Sequence, residues 1–179
     1  MTTRTSKQEP RQVWRNRIVG YGEEAPDQLV ANPRNWRIHP TGQQEALLGV
    51  LRQVGVVQDV LVNRTTGFVV DGHLRVMLAL REGQAVIPVK YVELSPEEEA
   101  LVLATFDPLA ALAGIDKEQL AALLQEVETS DAAVQQLLND LAAECGVQPP
   151  DVEFPEYDDG AADEVAWLEC PACGHRWPK

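Results

Sequence analysis

Apolar positions along the middle of the chain follow two periods, and where one gives way to the other marks its elements. Residues 57–63 are rich in Val and Leu and read as a strand. A polar turn, 63–67, leads to a second short run of β-formers, Phe68-Val69-Val70, so the two runs read as a hairpin. Asp71-Gly72 is a breaker pair that ends the second strand abruptly. Beyond it the period becomes helical. Leu74, Met77, Leu78 and Arg81 share one stripe over 73–82, with Ala79 and Leu80 beside it, and Gly83 stands at the C-terminal cap position.

The flanking elements follow the same reading. A short strand or two surrounds Gly20 and Gly22 within 18–30. Thr41-Gly42-Gln43-Gln44 has a capping-box pattern, and Leu47, Leu48, Leu51 and Val54 continue at helical spacing to Gly55. Ile87-Pro88-Val89-Lys90-Tyr91 alternates as a half-buried strand whose proline suits a sheet edge or the strand's first residues. Ser95-Pro96-Glu97-Glu98 opens a helix that runs to about Thr105, and Asp107-Pro108 opens a short one ended by Gly114. Asp116-x-x-Gln119 opens a third helix with Leu120, Leu123, Leu124 and Val127 on its stripe. Ser130 or Asp131 opens a fourth, with Val134, Leu137, Leu138 and Leu141. The matched spacing of these two predicts an antiparallel helical hairpin with a packing role, or a dimerisation surface. The fold class expected is α+β (mixed α/β): a small sheet with helices packed on it, then a helical tail.

Composition narrows the function classes. The 179 residues suit one domain with appendages, and a net charge of −13 argues against coating a DNA duplex unaided. The charge is uneven. Residues 1–17 carry Arg4, Lys7, Arg11, Arg15 and Arg17 against Glu9 and read as a disordered basic arm, whereas 147–166 reads as an acidic linker. Between them lie the main domain, 18–115, and the helical hairpin, 116–146. No apolar run approaches the ~20 residues of a membrane span, and no secretory signal is visible, so a cytoplasmic protein is expected. Three cysteines do not suggest a disulfide framework.

Three stretches carry candidate chemistry. A strand passing through Asp71-Gly72 into a helix aims unpaired backbone N–H groups and the positive end of the helix dipole at one spot, where Asp71, His73 and Arg75 also project. The plainer reading makes Asp71 an N-cap, Gly72 a turn residue and Arg75 a surface ion-pair partner. An Asp, a His and an Arg together exceed what a cap requires. The loop Asn32-Pro33-Arg34-Asn35-Trp36-Arg37-Ile38-His39-Pro40 places guanidinium groups beside an aromatic, which suits phosphate and base contacts, or a loop clipped onto the core by Trp36. At the C-terminus, residues 167–179, Cys170-Pro-Ala-Cys173-Gly has the spacing of half a zinc site, with His175 as a third ligand; zinc shared between two chains, a remnant and a redox pair all remain open.

Asn32-Pro-Arg, Val54-Gly-Val-Val-Gln58, Val60-Leu-Val, Gly67-Phe-Val-Val-Asp-Gly-His-Leu-Arg75 and Ile87-Pro-Val together resemble the ParB/sulfiredoxin-like superfamily. The likeness covers about 18–115 and is closest to the ParB-type N-terminal (ParB-like nuclease) domains of phage and mobile-element proteins, some fused ahead of DNA methyltransferases. The resemblance implies that Asp71-Gly72-His73-Leu74-Arg75 occupies a phosphate-binding turn, which in partitioning ParB proteins is Gly-Glu-Arg-Arg and binds CTP. Sulfiredoxins carry a catalytic cysteine there, and this chain has none. The Asp-Gly-His-x-Arg form is similar to that of members acting as nucleotide-dependent kinases on small hydroxyl substrates. Asn32 and Arg34 match the Asn-Pro loop, Asp107 lies near the place of a Glu-Asn-x-x-Arg motif that is not intact, and no helix-turn-helix follows.

The expectation is therefore a phosphate site from Gly72, His73, Leu74 and Arg75 with Asn32, Arg34 and Arg37. Its ligand would be a nucleotide, CTP or ATP, with Mg2+. Asp71, His73 and Arg75 form the catalytic set if there is turnover. Zn2+ would bind Cys170, Cys173 and His175. The partner would be DNA, a DNA-processing protein or a second copy of the chain, and no membrane. The alternatives are a small-molecule kinase on the same turn and a non-catalytic dimerising adaptor. One Asp and one His do not make the several-carboxylate site of a metal-dependent nuclease.

Overall fold

A computed structural model describes residues 13–147, 167–169 and 175–178. The basic arm up to residue 12, the acidic linker from 148 to 166, and Cys170 and Cys173 lie outside the described residues. The class is α+β. Strands β1 (Ile18–Glu24), β2 (Val60–Asn63), β3 (Val69–Asp71) and β4 (Ile87–Val92) form one sheet in the order β1-β4-β2-β3. β2 and β3 are the expected antiparallel hairpin, β1 runs antiparallel to β4, and β4 lies parallel to β2 with Val60 opposite Val89. A parallel pair needs a crossover, and here it passes through β3 and helix α2 (His73–Arg81).

The crossover explains why α2 is buried on two sides. Val76 and Ala79 face the sheet in a core with Val60, Val62, Val69, Ile87 and Val89. Leu74 and Leu78 face Leu48 of helix α1 (Thr41–Gln53). The single stripe expected from the sequence is thus corrected: Met77 and Leu80 are exposed, and Val76 takes an inner place. Pro88 is also corrected. It is the second residue of β4, as one of its two readings had it, but β4 is an inner strand rather than an edge.

Two helix starts differ from expectation. Thr41 is the first helical residue, Pro40 holds the cap position, and no side chain caps α1; Gln44 instead donates to the His39 carbonyl at 2.8 Å. Helix α3 (Pro96–Ala111) is continuous where two helices were expected, and its Ser95–Glu98 capping box is formed. Pro108 lies near its C-terminal end, so the N–H it lacks interrupts only the outer part of the helix.

Helices α4 (Lys117–Glu126) and α5 (Ala132–Cys145) are capped by Asp116 and Asp131, and share a small core of Leu120, Leu124, Ala142 and Cys145. Gly49 lets α5 approach α1: a Cβ there would lie 2.6 Å from Val134 Cγ2. Strands β5 (Trp167–Glu169) and β6 (Arg176–Pro178) pair antiparallel. No described helix is long and apolar enough to cross a membrane.

Candidate functional site

The β3–α2 junction turns within one residue. β3 ends on Asp71, α2 begins on His73, and Gly72 between them has φ 94°, a left-handed conformation that only glycine adopts without strain. A Cβ on Gly72 would also stand 3.0 Å from Arg75 Nη2 and 3.1 Å from Val60 Cγ2. Gly72 is itself the N-cap and no side chain caps the helix. Asp71 is therefore not an N-cap. The backbone N–H groups of the first turn have no partner within the helix.

Asp71 faces a guanidinium on either side. Arg75, one turn along α2, places Nη2 2.9 Å from Asp71 Oδ2. Arg37, from the loop before α1, places Nη1 3.8 Å from Oδ1. Gln58 closes the near side: its Nε2 donates to Asp71 Oδ2 at 3.3 Å, and its Oε1 accepts from Arg75 Nη1 at 3.3 Å. Arg37 Nε lies against the Asp107 carboxylate of α3 as an ion pair, without the alignment of a hydrogen bond. The Arg37 guanidinium also sits 5.9 Å from the Trp36 ring, and Trp36 Nε1 donates to the Leu103 carbonyl at 3.2 Å. Trp36 thus clips the loop to α3 and presents Arg37 to the turn. Arg37, His39, Asp71, His73, Arg75 and Asp107 line a cleft of about 150 Å³.

His73 is tied to the loop rather than aimed freely into the cleft. Its Nε2 accepts from the Asn32 backbone N–H at 3.3 Å, an arrangement that leaves the neutral ring's hydrogen on Nδ1. Nδ1 is buried towards the Val69 carbonyl, and Arg37 Nε and Arg75 Nε are buried without a hydrogen bond. Burial, then the Arg37 charge, pushes the His73 pKa below its ordinary value, against an opposing pull from Asp71. The shift favours the neutral ring.

The remaining expected residues divide in two. Gly72, His73, Leu74 and Arg75 stand at the turn, with Leu74 contributing its backbone because its side chain is buried against α1. Arg37 joins them. Asn32 and Arg34 do not point there: their side chains are held by Glu99 on α3. Glu99 is fully buried. Its Oε1 accepts from Asn32 Nδ2 at 2.8 Å and Arg34 Nη2 at 3.0 Å, and its Oε2 accepts from Asn63 Nδ2 at 2.7 Å and from the Thr66 hydroxyl. Burial alone raises the pKa of this carboxyl, but Thr66, Asn63, Asn32 and Arg34 outweigh it and hold the pKa below the usual glutamate value. Sequence reading did not single out Glu99. Its place four residues before Leu103, the other buried residue of α3, was the available signal.

Among the described residues, no group of three His, Cys, Asp or Glu could hold an ion. Asp71 has both oxygens facing guanidinium groups, so the turn does not fit a resident cation. For zinc, His175 is exposed, while its proposed co-ligands fall outside the described residues. Cys145 is buried at the end of α5.

No protein-family model and no curated protein matches this chain. Solved structures do. A C-terminally truncated chromosome-partitioning protein ParB from Caulobacter crescentus, complexed with CTP-gamma-S, is 21% identical over 73% of each chain, with a TM-score of 0.49. Two structures of a pNOB8-like ParB N-domain are each 13% identical, with TM-scores of 0.44 and 0.42. They align with 92% and 93% of this chain, which spans 59% and 56% of theirs. The likeness is one of fold alone.

Proposed function

We propose that this domain captures the phosphates of a nucleotide at the turn formed by residues 71–75, in a DNA-associated role of the kind the sequence resemblance implies. The observation that carries the reading is the convergence of two guanidinium groups, Arg37 and Arg75, on an uncapped helix start, with a buried nitrogen of each lacking a hydrogen-bond partner. Amides aligned with a helix dipole favour an anion, and guanidinium forks match phosphate oxygens. In this reading the first-turn amides and Arg75 grip the phosphates, Arg37 closes over them, and magnesium enters already bound to the phosphates. His73 acts through Asn32, fixing the loop that carries Arg37.

Binding is favoured over turnover. The Asp71 carboxylate faces two cations and the His73 Nε2 lone pair is committed to a backbone N–H, so neither stands ready as a general base. A thermal-shift panel of CTP, ATP and ADP, with and without magnesium, tests the reading. Ligand at about 100 times its Kd stabilises a protein by roughly 2.7 kcal/mol, and a shift of that order is expected with at least one triphosphate. Arg75→Ala and Arg37→Ala should each abolish most of it. No shift with any nucleotide would sink the proposal and favour the adaptor reading.

A further inference from the structure

We infer that Asp107 is a displaceable carboxylate that holds the place of an anion beside Arg37, and thereby sets how tightly the turn accepts phosphate. The inference rests on the nucleotide reading and adds a residue that regulates that site. Arg37 is nearly buried, with 11% of its side chain exposed, and is shared between two carboxylates. The two are held very differently. Asp71 is mostly buried and takes bonds from Arg75 and Gln58 as well. Asp107 is 54% exposed, and Arg37 is its one ion-pair partner among the described residues.

The segment bearing Asp107 is equally loosely held. Phe106, Leu109 and Leu112 beside it are exposed, and Pro108 removes one helix bond at that point. Asp107 is the exposed partner and regains water on swinging out, while the incoming anion takes its place at the nearly buried Arg37. A phosphate oxygen arriving at Arg37 competes with the Asp107 carboxylate for the same donors and meets its charge at close range. Binding therefore requires Asp107 to swing out, and the penalty appears as weakened affinity.

Calorimetric titration with inorganic tripolyphosphate and with ATP, in magnesium-free buffer, tests this on the full chain. Asp107→Asn keeps the size of the side chain and removes its charge. It should tighten binding about ten-fold at low ionic strength, and less as salt screens the exposed charge. Asp107→Glu should stay near wild type. In an Arg37→Ala background, Asp107→Asn should change little, because the cation both anions seek is gone. The expected effect is a gain, which a merely damaged fold does not produce. Wild-type binding with an equal or weaker Asp107→Asn variant overturns the Asp107 inference and leaves the phosphate reading standing. Absence of binding by wild type and Asp107→Asn alike overturns both.

Discussion

Two carboxylate centres lie under opposite halves of α3, and they are finished to different degrees. Glu99 is fully buried, and both of its oxygens accept from two side chains each. The Asp71 centre is part-exposed. One of its ion pairs is long, another lacks hydrogen-bond alignment, and Arg37 Nε and Arg75 Nε are buried without a hydrogen bond. Buried polar groups are normally satisfied, because leaving one unpaired costs about 1–3 kcal/mol. The completed centre is a clip that ties the 32–34 loop, the β2–β3 turn and α3 together. The incomplete one has donors to offer a ligand. That contrast, more than the identity of the residues, separates structure from candidate site in this molecule.

Removing the clip should give the largest effect. Glu99→Ala leaves the Asn32 amide buried without its acceptor, takes one of two acceptors from Asn63 Nδ2 and leaves the Arg34 charge without its partner. A loss of about 3–5 kcal/mol in urea unfolding is expected, with Glu99→Gln falling between it and wild type. Acid should reproduce part of this. The folded pKa of Glu99 lies below the unfolded value, so its contribution is complete above the ordinary glutamate range and is lost as pH falls through the folded value. A Glu99→Ala protein as stable as wild type would show that the hydrogen bonds at this centre carry no weight.

A second substitution probes the unfinished centre. Gly72→Ala forces a left-handed backbone on alanine and presses its Cβ against Arg75 Nη2 and Val60 Cγ2. Destabilisation of about 1–3 kcal/mol is expected. It should come with loss of nucleotide response, because the Arg75 guanidinium must move. Glu99→Ala measured at a temperature where it remains folded should keep more of that response. The opposite ranking, with binding kept in Gly72→Ala and lost in folded Glu99→Ala, would reverse the roles assigned to the two centres.

How much of this could be read from the chain follows from what each feature depends on. The 67–83 stretch was legible because strand, glycine turn and helix are local patterns, and the β2–β3 hairpin and Ser95 cap were legible for the same reason. Asp71, His73, Arg75 and Arg37 were legible as candidates because their type and spacing are unusual for plain connectors. Their partners were not. Glu99 meets Asn32 and Asn63 across separations of 67 and 36 residues, which no local pattern encodes. So the phosphate set expected from the sequence gathered Asn32 and Arg34 with Arg37, whereas the tertiary fold hands the first two to the clip. Helix α3 was divided at Pro108 because the local rule for proline is strong. The rule is weaker near the end of a helix, where few bonds remain to be lost.

The smallest expected effect concerns His73, which stands between the two centres through Asn32. Asn32 bonds Glu99 by its side chain and His73 by its backbone N–H. The His73 pKa is lowered in the folded chain, by burial first and the Arg37 charge second. Between that lowered value and the unfolded 6.5, the unfolded state binds more protons, so stability falls as pH drops through this window and is level above it. Protonation would also end the Nε2 acceptor role and free the Asn32 N–H. The contribution should be below about 1 kcal/mol, because solvent screens a half-buried ring. His73→Gln keeps an acceptor and removes the titration. The stability difference between pH 7.5 and pH 5.5, as roughly spaced brackets of the histidine range, should therefore be smaller in this variant than in wild type. Identical pH dependence in the two proteins would mean that His73 is not coupled to the fold through Asn32, and that the two centres respond to acid independently.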